Sequence, residues 1–207
     1  MDGDKVDFYE KIPMGYWKNP DNHLLWFEDF RRHYELTTFE SLYTINQKMI
    51  RDFNGITLVK EYYKSIINLV KSLCPEYEWK SYKFPRRANG YWEIERHRIE
   101  WFEDFRKHYN LGSYNSLYDI NSKMIDDYYG KTLRNNYYKS IFMMVQSLCP
   151  EFEWKFYKFR YLKGHWGEIE NQKLWFEDLR DFYGLTTVED IYSLNLRMIT
   201  DFYGITL

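Results

Sequence analysis

At 207 residues the chain is long enough for one or two ordinary domains. Its 29 lysines and arginines nearly cancel its 31 aspartates and glutamates, so the whole chain lacks the strongly basic balance of a nucleic-acid-coating protein. Aromatic residues make up 21% of the sequence, the composition of a folded chain. No run approaches the roughly 18 apolar residues of a membrane span, and the acidic N-terminus lacks the apolar core of a signal peptide, so a soluble, intracellular protein is expected.

The eight tryptophans fall into register. Trp17, Trp92 and Trp166 correspond, as do Trp26, Trp101 and Trp175, and then Trp79 and Trp154, with steps of about 75 and about 74 residues that read as tandem structural units. Aligned without a gap, 15–89 and 90–164 share about 41 of 75 identical positions, far beyond chance self-similarity. The expected organisation is the end of a preceding connector or an N-terminal tail over 1–14, repeat 1 over 15–89, repeat 2 over 90–164 and a partial repeat 3 over 165–207. Phe8 to Pro13 resembles the stretch from Tyr82 to Pro85, so the chain reads as a piece of a longer array.

In chain order, Asn19-Pro20-Asp21 opens the first strong helix, with Asn19 as cap and Pro20 in the first helical position. Trp26, Phe27, Phe30 and Tyr34 then recur at helical spacing, matched by Trp101, Phe102, Phe105 and Tyr109 and by Trp175, Phe176, Leu179 and Tyr183. A capping box is expected at Thr37–Glu40 and Thr186–Glu189, leading a short helix with Leu42 and Tyr43. Asn46, Asn121 and Asn195 start a third helix that Gly55, Gly130 and Gly204 stop, with Met49, Ile50 and Phe53 facing inward. Thr57 or Thr132 caps a fourth helix, apolar at Tyr62, Tyr63, Ile66, Ile67, Val70 and Leu73 and ended by Pro75. An extended connector pinned by aromatics follows, and the fold class is all-α, with four helices and a connector per repeat.

Repeat 3 stops before the fourth helix. Trp175, Ile191 and Met198 are therefore expected to be poorly covered, and the chain to self-associate. The eight tryptophans are the expected structural core. Cys74 and Cys149 occupy one site in successive repeats, too far apart for a bridge, so both are expected free and buried, which suits a reducing compartment.

Chemical signals are sparse. Glu28-Asp29, Glu103-Asp104 and Glu177-Asp178 pair carboxylates, but consecutive helical positions diverge, and Arg31, Arg106 and Arg180 lie three positions after the glutamates, which predicts a salt-bridged face. His33 and His108 give way to Phe182 in repeat 3, as a space-filling ring can and a metal ligand or general base cannot. There is no clustered Cys and His set for zinc, no glycine-rich phosphate loop and no GxSxG elbow, so no metal, cofactor or catalytic residue is expected. The connectors alone have functional colour: Lys80, Tyr82 and Lys83, then Lys155, Tyr157 and Lys158, interleave cations with aromatics as single-stranded nucleic-acid platforms do.

Gly-Tyr-Trp, Trp-Phe-Glu-Asp and Cys-Pro-Glu-Tyr-Glu-Trp-Lys before Tyr-Lys-Phe resemble a Trp-rich tandem helical repeat of fungal, algal and protist proteins, over nearly the whole chain. Cys74 and Cys149 stand where that pattern usually has tyrosine, and Tyr82 and Tyr157 where it has tryptophan. Some such arrays precede restriction-endonuclease-like domains, so the resemblance implies a nucleic-acid context. The residues themselves favour a non-enzymatic repeat module that presents a surface to a protein partner. The alternative is a nucleic-acid-binding array that uses its basic connectors, as part of a longer nuclease-linked protein.

Overall fold

The computed structural model describes residues 12–159 and 165–203. Among them the regular structure is helical, with no strand, as the sequence pattern predicts. The expected stop at Gly204 and the tail up to residue 11 lie outside the described residues. The chain divides into two compact units, Met1–Asn89 and Gly90–Leu207.

In the first unit a 3-10 turn at Tyr16–Lys18 leads into α1 (Asp21–His33). Asn19 is extended and its Oδ1 accepts from the Asp21 N–H at 3.1 Å, while Pro20 already has helical dihedrals, so cap and first position fall where the sequence puts them. α2 (Phe39–Leu42) starts one residue later than expected. Thr38, not Thr37, is the extended cap, and its partner three positions on is Ser41, not Glu40. The same shift gives Thr187 and Asp190 the capping box of α9 (Val188–Ile191). A box needs the third helical position, and Glu40 stands second, which releases its carboxylate for other use.

α3 (Gln47–Asp52) is capped by Asn46 as predicted. At its end the left-handed residue is Asn54, with φ 56°, and the Gly55 N–H closes on the Ile50 carbonyl at 2.8 Å. Gly55 serves close approach rather than a positive φ: a Cβ there would lie 2.3 Å from the Trp26 ring.

The single fourth helix is in fact two pieces. Leu58–Tyr63 winds as a wider π-helical turn, Lys64 turns left-handed, and Ser65 begins α4 (Ile66–Leu73) by accepting from the Asn68 N–H at 3.1 Å. Thr57 has helical dihedrals and makes no side-chain cap. The break follows from Ser65, whose hydroxyl satisfies an orphan amide only at a new helix start. Leu69 and Val70 carry the buried stripe of α4, Tyr63, Ile66, Ile67 and Leu73 pack half-buried against the core and Tyr62 faces solvent, so the predicted stripe holds except at Tyr62 and misses Leu69. The connector beyond is not extended throughout either, since Ser81–Lys83 forms a 3-10 turn. Trp26, Phe30, Leu42, Ile45, Ile50, Leu58, Leu69 and Val70 form the core, with Trp17, Trp79 and Phe84 at its margins.

The second unit holds α5 (Glu95–His108), a 3-10 turn at Asn115–Asp119 where α2 would stand, α6 (Ser122–Asp127), a π-helical turn at Leu133–Tyr138 and α7 (Ile141–Leu148). α8 (Ile169–Tyr183), α9 and α10 (Leu196–Asp201) follow. Equivalent side chains make equivalent bonds: indole N–H groups of Trp26, Trp101 and Trp175 donate to the carbonyls of Phe53, Tyr128 and Phe202 at 3.0, 2.7 and 2.8 Å. Those of Trp79 and Trp154 donate to Cys74 and Cys149, both at 2.8 Å. The two cysteines are free and buried, and burial pushes both thiols up.

The expectations about polar side chains are met in part. Arg31, Arg106 and Arg180 use Nε to hold the carbonyls of Leu36, Leu111 and Leu185 at 3.1, 3.0 and 3.0 Å, beyond the ends of their helices; they are not the partners of the preceding glutamates, and the ion pair on α1 is Arg32 with Asp29 at 2.8 Å. An exposed ion pair contributes little, so a part-buried carbonyl that needs a donor can hold the guanidinium instead. His33 and His108 do pack against rings, 5.0 Å from Phe53 and 4.8 Å from Tyr128, and Phe182 sits 5.1 Å from Phe202 in the same way.

One further contact was not visible as a pattern. His23, Arg98 and Gln172 look unrelated, yet each reaches back six residues to the carbonyl of Trp17, Trp92 or Trp166, at 2.8, 2.7 and 2.6 Å. A carbonyl can only accept, so Nε2 of His23 carries the proton and Nδ1 faces the Tyr63 hydroxyl at 3.0 Å. Any long donor serves this tether.

Candidate interaction surface

The connectors hold the residues singled out for nucleic acid, and the fold turns most of them inward. Tyr82 is 1% exposed and Tyr157 7%, so neither ring offers a face to a stacked base. The Tyr157 hydroxyl donates to Asp178 Oδ2 at 2.7 Å, and Lys155 Nζ approaches Asp178 at 3.2 Å and Glu153 at 2.7 Å, which pins the second connector to α8. Lys80 pairs with Glu78 at 2.8 Å. Lys83 pairs with Glu40 at 2.9 Å and lies 5.2 Å from the Tyr43 ring centre, as Lys158 lies 5.7 Å from that of Tyr118. Lys83, Lys155 and Lys158 fasten the connectors to neighbouring helical residues, while Lys80 pairs within its connector.

The capping shift explains one of these contacts. Glu40, freed from the box, accepts both Lys83 Nζ and the Tyr77 hydroxyl, each at 2.9 Å. Burial opposes its ionisation, but these two donors outweigh it and hold the carboxyl below its usual range. In the second unit the pair is inverted: the Tyr114 hydroxyl on the helical side donates to Glu151 of the connector at 2.6 Å. One hydrogen bond is kept while donor and acceptor exchange places.

Buried phenols give this arrangement a pH signature. Burial pushes the hydroxyls of Tyr43, Tyr118 and Tyr157 above their ordinary value of 10.0, and for Tyr157 the bond to Asp178 adds to it. A group with a raised folded value stabilises fully below its unfolded value and loses that contribution as pH rises above it. We therefore expect a thermal midpoint that falls steeply above about pH 10, with tyrosinate absorbance rising together with the loss of helical circular dichroism. Tyrosinate formation complete near pH 10 in a still-folded chain would contradict it.

A different surface lies at the α8–α10 end. Trp175, expected to be poorly covered, is only 5% exposed. Phe156 and Tyr157 of the preceding connector pack in its cluster, joined by Leu179, Leu185 and Phe202, so the connector supplies cover that a count of helices misses. Ile191 and Met198 are half-buried, and the exposed apolar residues here include Phe182 on α8, Val188 on α9, Tyr192 just after it and Leu196 on α10.

No protein family, curated protein or solved structure matches this chain. Among the described residues no helix is long and apolar enough to cross a membrane, and no group of three or more His, Cys, Asp and Glu side chains is gathered for a metal ion.

Proposed function

We propose that the chain is a non-enzymatic tandem helical-repeat module with a period of about 75 residues, which presents its surface to a protein partner. The observation that carries this reading is the contrast between the two candidate surfaces. The connector rings are buried and its lysines lie against carboxylates and tyrosine rings, whereas Val188, Tyr192, Leu196 and Phe182 stand open at one end. Exposed apolar side chains suit a polypeptide better than a phosphate backbone. The Trp-rich repeats that the sequence resembles are consistent with a modular role.

A salt titration tests the reading. Single-stranded RNA or DNA should bind weakly at low salt and be released near physiological ionic strength, because the connector cations would have to leave Glu40, Glu78, Glu153 and Asp178 to reach phosphates. Tight binding that survives physiological salt and disappears when Lys80, Lys83, Lys155 and Lys158 are changed to glutamine would replace the proposal with the nucleic-acid reading.

A further inference from the structure

His23, Arg98 and Gln172 make one tether with three chemistries, and only Arg98 brings a fixed charge into the fold. The tether does not require it, since glutamine makes the same bond at 2.6 Å. Arg98 is 9% exposed, and no carboxylate among the described residues pairs with it. Its Nη1 donates to the Trp92 carbonyl at 2.7 Å and to the Glu93 carbonyl at 2.9 Å, both in the 3-10 turn Tyr91–Glu93, and the guanidinium carbon lies over the Tyr137 ring, 4.5 Å from its centre. Nε is buried without a hydrogen-bond partner, and Nη2 donates to no group among the described residues. Tyr138 beside it has the same shortage. It is 8% exposed and its hydroxyl is buried without a partner; burial pushes that hydroxyl up, while Ser147 of α7 and Arg98 lie near enough to pull against the shift. In the first unit the matching pair is closed, because His23 Nδ1 faces the Tyr63 hydroxyl at 3.0 Å. Arginine can only donate, so with it in this place the pair holds more hydrogens than acceptors.

We infer that Nε and Nη2 of Arg98, together with the Tyr138 hydroxyl, form a binding site for an oxyanion, a carboxylate or phosphate group, with Ser147 at its rim. The inference goes beyond the protein-interaction reading and does not depend on it. Buried donors and a buried cation without counter-charge are each costly, and an oxyanion relieves both at once. Two of its oxygens match the fork of Nε and Nη2, a further lone pair takes the Tyr138 hydrogen, and its charge offsets a guanidinium that solvent barely reaches. Chloride presents the fork with one centre instead of two oxygens and suits it less. Ser147 is exposed and its hydroxyl lies near that of Tyr138, which gives the ligand a way in from solvent. The chemistry belongs to the second unit alone among the three tethers: His23 has both ring nitrogens engaged, and Gln172 carries no charge.

The test titrates the full chain with sodium phosphate and, in a second arm, with sodium acetate, near neutral pH and at an ionic strength held constant with sodium chloride. Screening then stays fixed, and each arm is a competition against chloride. Calorimetry should show one oxyanion bound per chain in at least one arm, with a thermal midpoint that rises as the site fills. The tighter arm assigns phosphate or carboxylate. Arg98→Gln should weaken binding at least about tenfold, because glutamine keeps the tether, as Gln172 does, and removes the fork and its charge. Tyr138→Phe should weaken it about threefold or more and leave the fold intact, since its hydroxyl bonds nothing within the protein. That second variant decides the matter if Arg98→Gln does not fold. No saturable binding over chloride in either arm would overturn the inference. So would binding that Tyr138→Phe and Arg98→Gln leave unchanged, the mark of an adventitious ion only.

Discussion

Trp101→Ala should destabilise the chain by about 3 to 5 kcal/mol, the range for emptying a large aromatic site in a closed core. Trp101 is fully buried, stacks on Phe105 at 5.0 Å and meets Trp92 edge-on at 6.3 Å. Its N–H also holds the Tyr128 carbonyl at 2.7 Å, so truncation both opens a cavity and leaves a part-buried acceptor unpaired. Against a typical stability of 5 to 15 kcal/mol this is a large fraction, readable as a drop in the urea midpoint. Trp101→Phe separates the two effects, since it keeps most of the ring and loses only the donor. Trp175→Ala should cost less: it makes the same bond to Phe202, but its neighbours Phe176 and Ile199 are half-exposed and can close over the gap. Equal losses at the two sites would mean that the connector rings Phe156 and Tyr157 seal the last cluster as completely as a helix would.

How far the sequence could be read depended on what set each feature. The helical stripe of α1, α5 and α8 and the asparagine caps of α3, α6 and α10 are local properties, and their predicted positions coincide with the structure. The split of the fourth helix is local too, but Lys64-Ser65 and Lys139-Ser140 sit inside an apolar pattern that continues past them, and periodicity outweighed one serine. Tertiary choices were out of reach. Tyr82 and Tyr157 read as available rings because lysines flank them, and only the folded chain shows that the lysines lie against carboxylates and tyrosine rings while their own rings go in. The tether of His23, Arg98 and Gln172 was hidden for the opposite reason: it asks for reach and a donor, not for a residue type. The likeness of 15–89 to 90–164 was legible because it is written in the positions that pack.

Gly130→Ala should destabilise by about 3 kcal/mol, at the upper end for overpacking, although alanine ordinarily improves on glycine. The reason is distance. A Cβ at Gly130 would lie 2.4 Å from the Trp101 ring and 2.7 Å from Ile125 Cγ2, both fully buried, so neither can swing into solvent to make room. The indole is also held along that same edge by the bond from its N–H to the Tyr128 carbonyl, two residues before the glycine. Relief therefore requires moving α6 away from α5, which loosens the core that Trp101 organises. Gly112→Ala is the matched control: nothing lies within 4 Å of its would-be Cβ, so it should be neutral or gain up to about 1 kcal/mol from a less flexible unfolded chain. The decisive variant is Gly130→Ala combined with Trp101→Phe. If the collision with the indole is the cause, the smaller ring removes it and the double variant should lose clearly less than the sum of the two single losses. Simple additivity would place the strain in the backbone after α6 instead, and the close approach of glycine and tryptophan would not be what requires a glycine there.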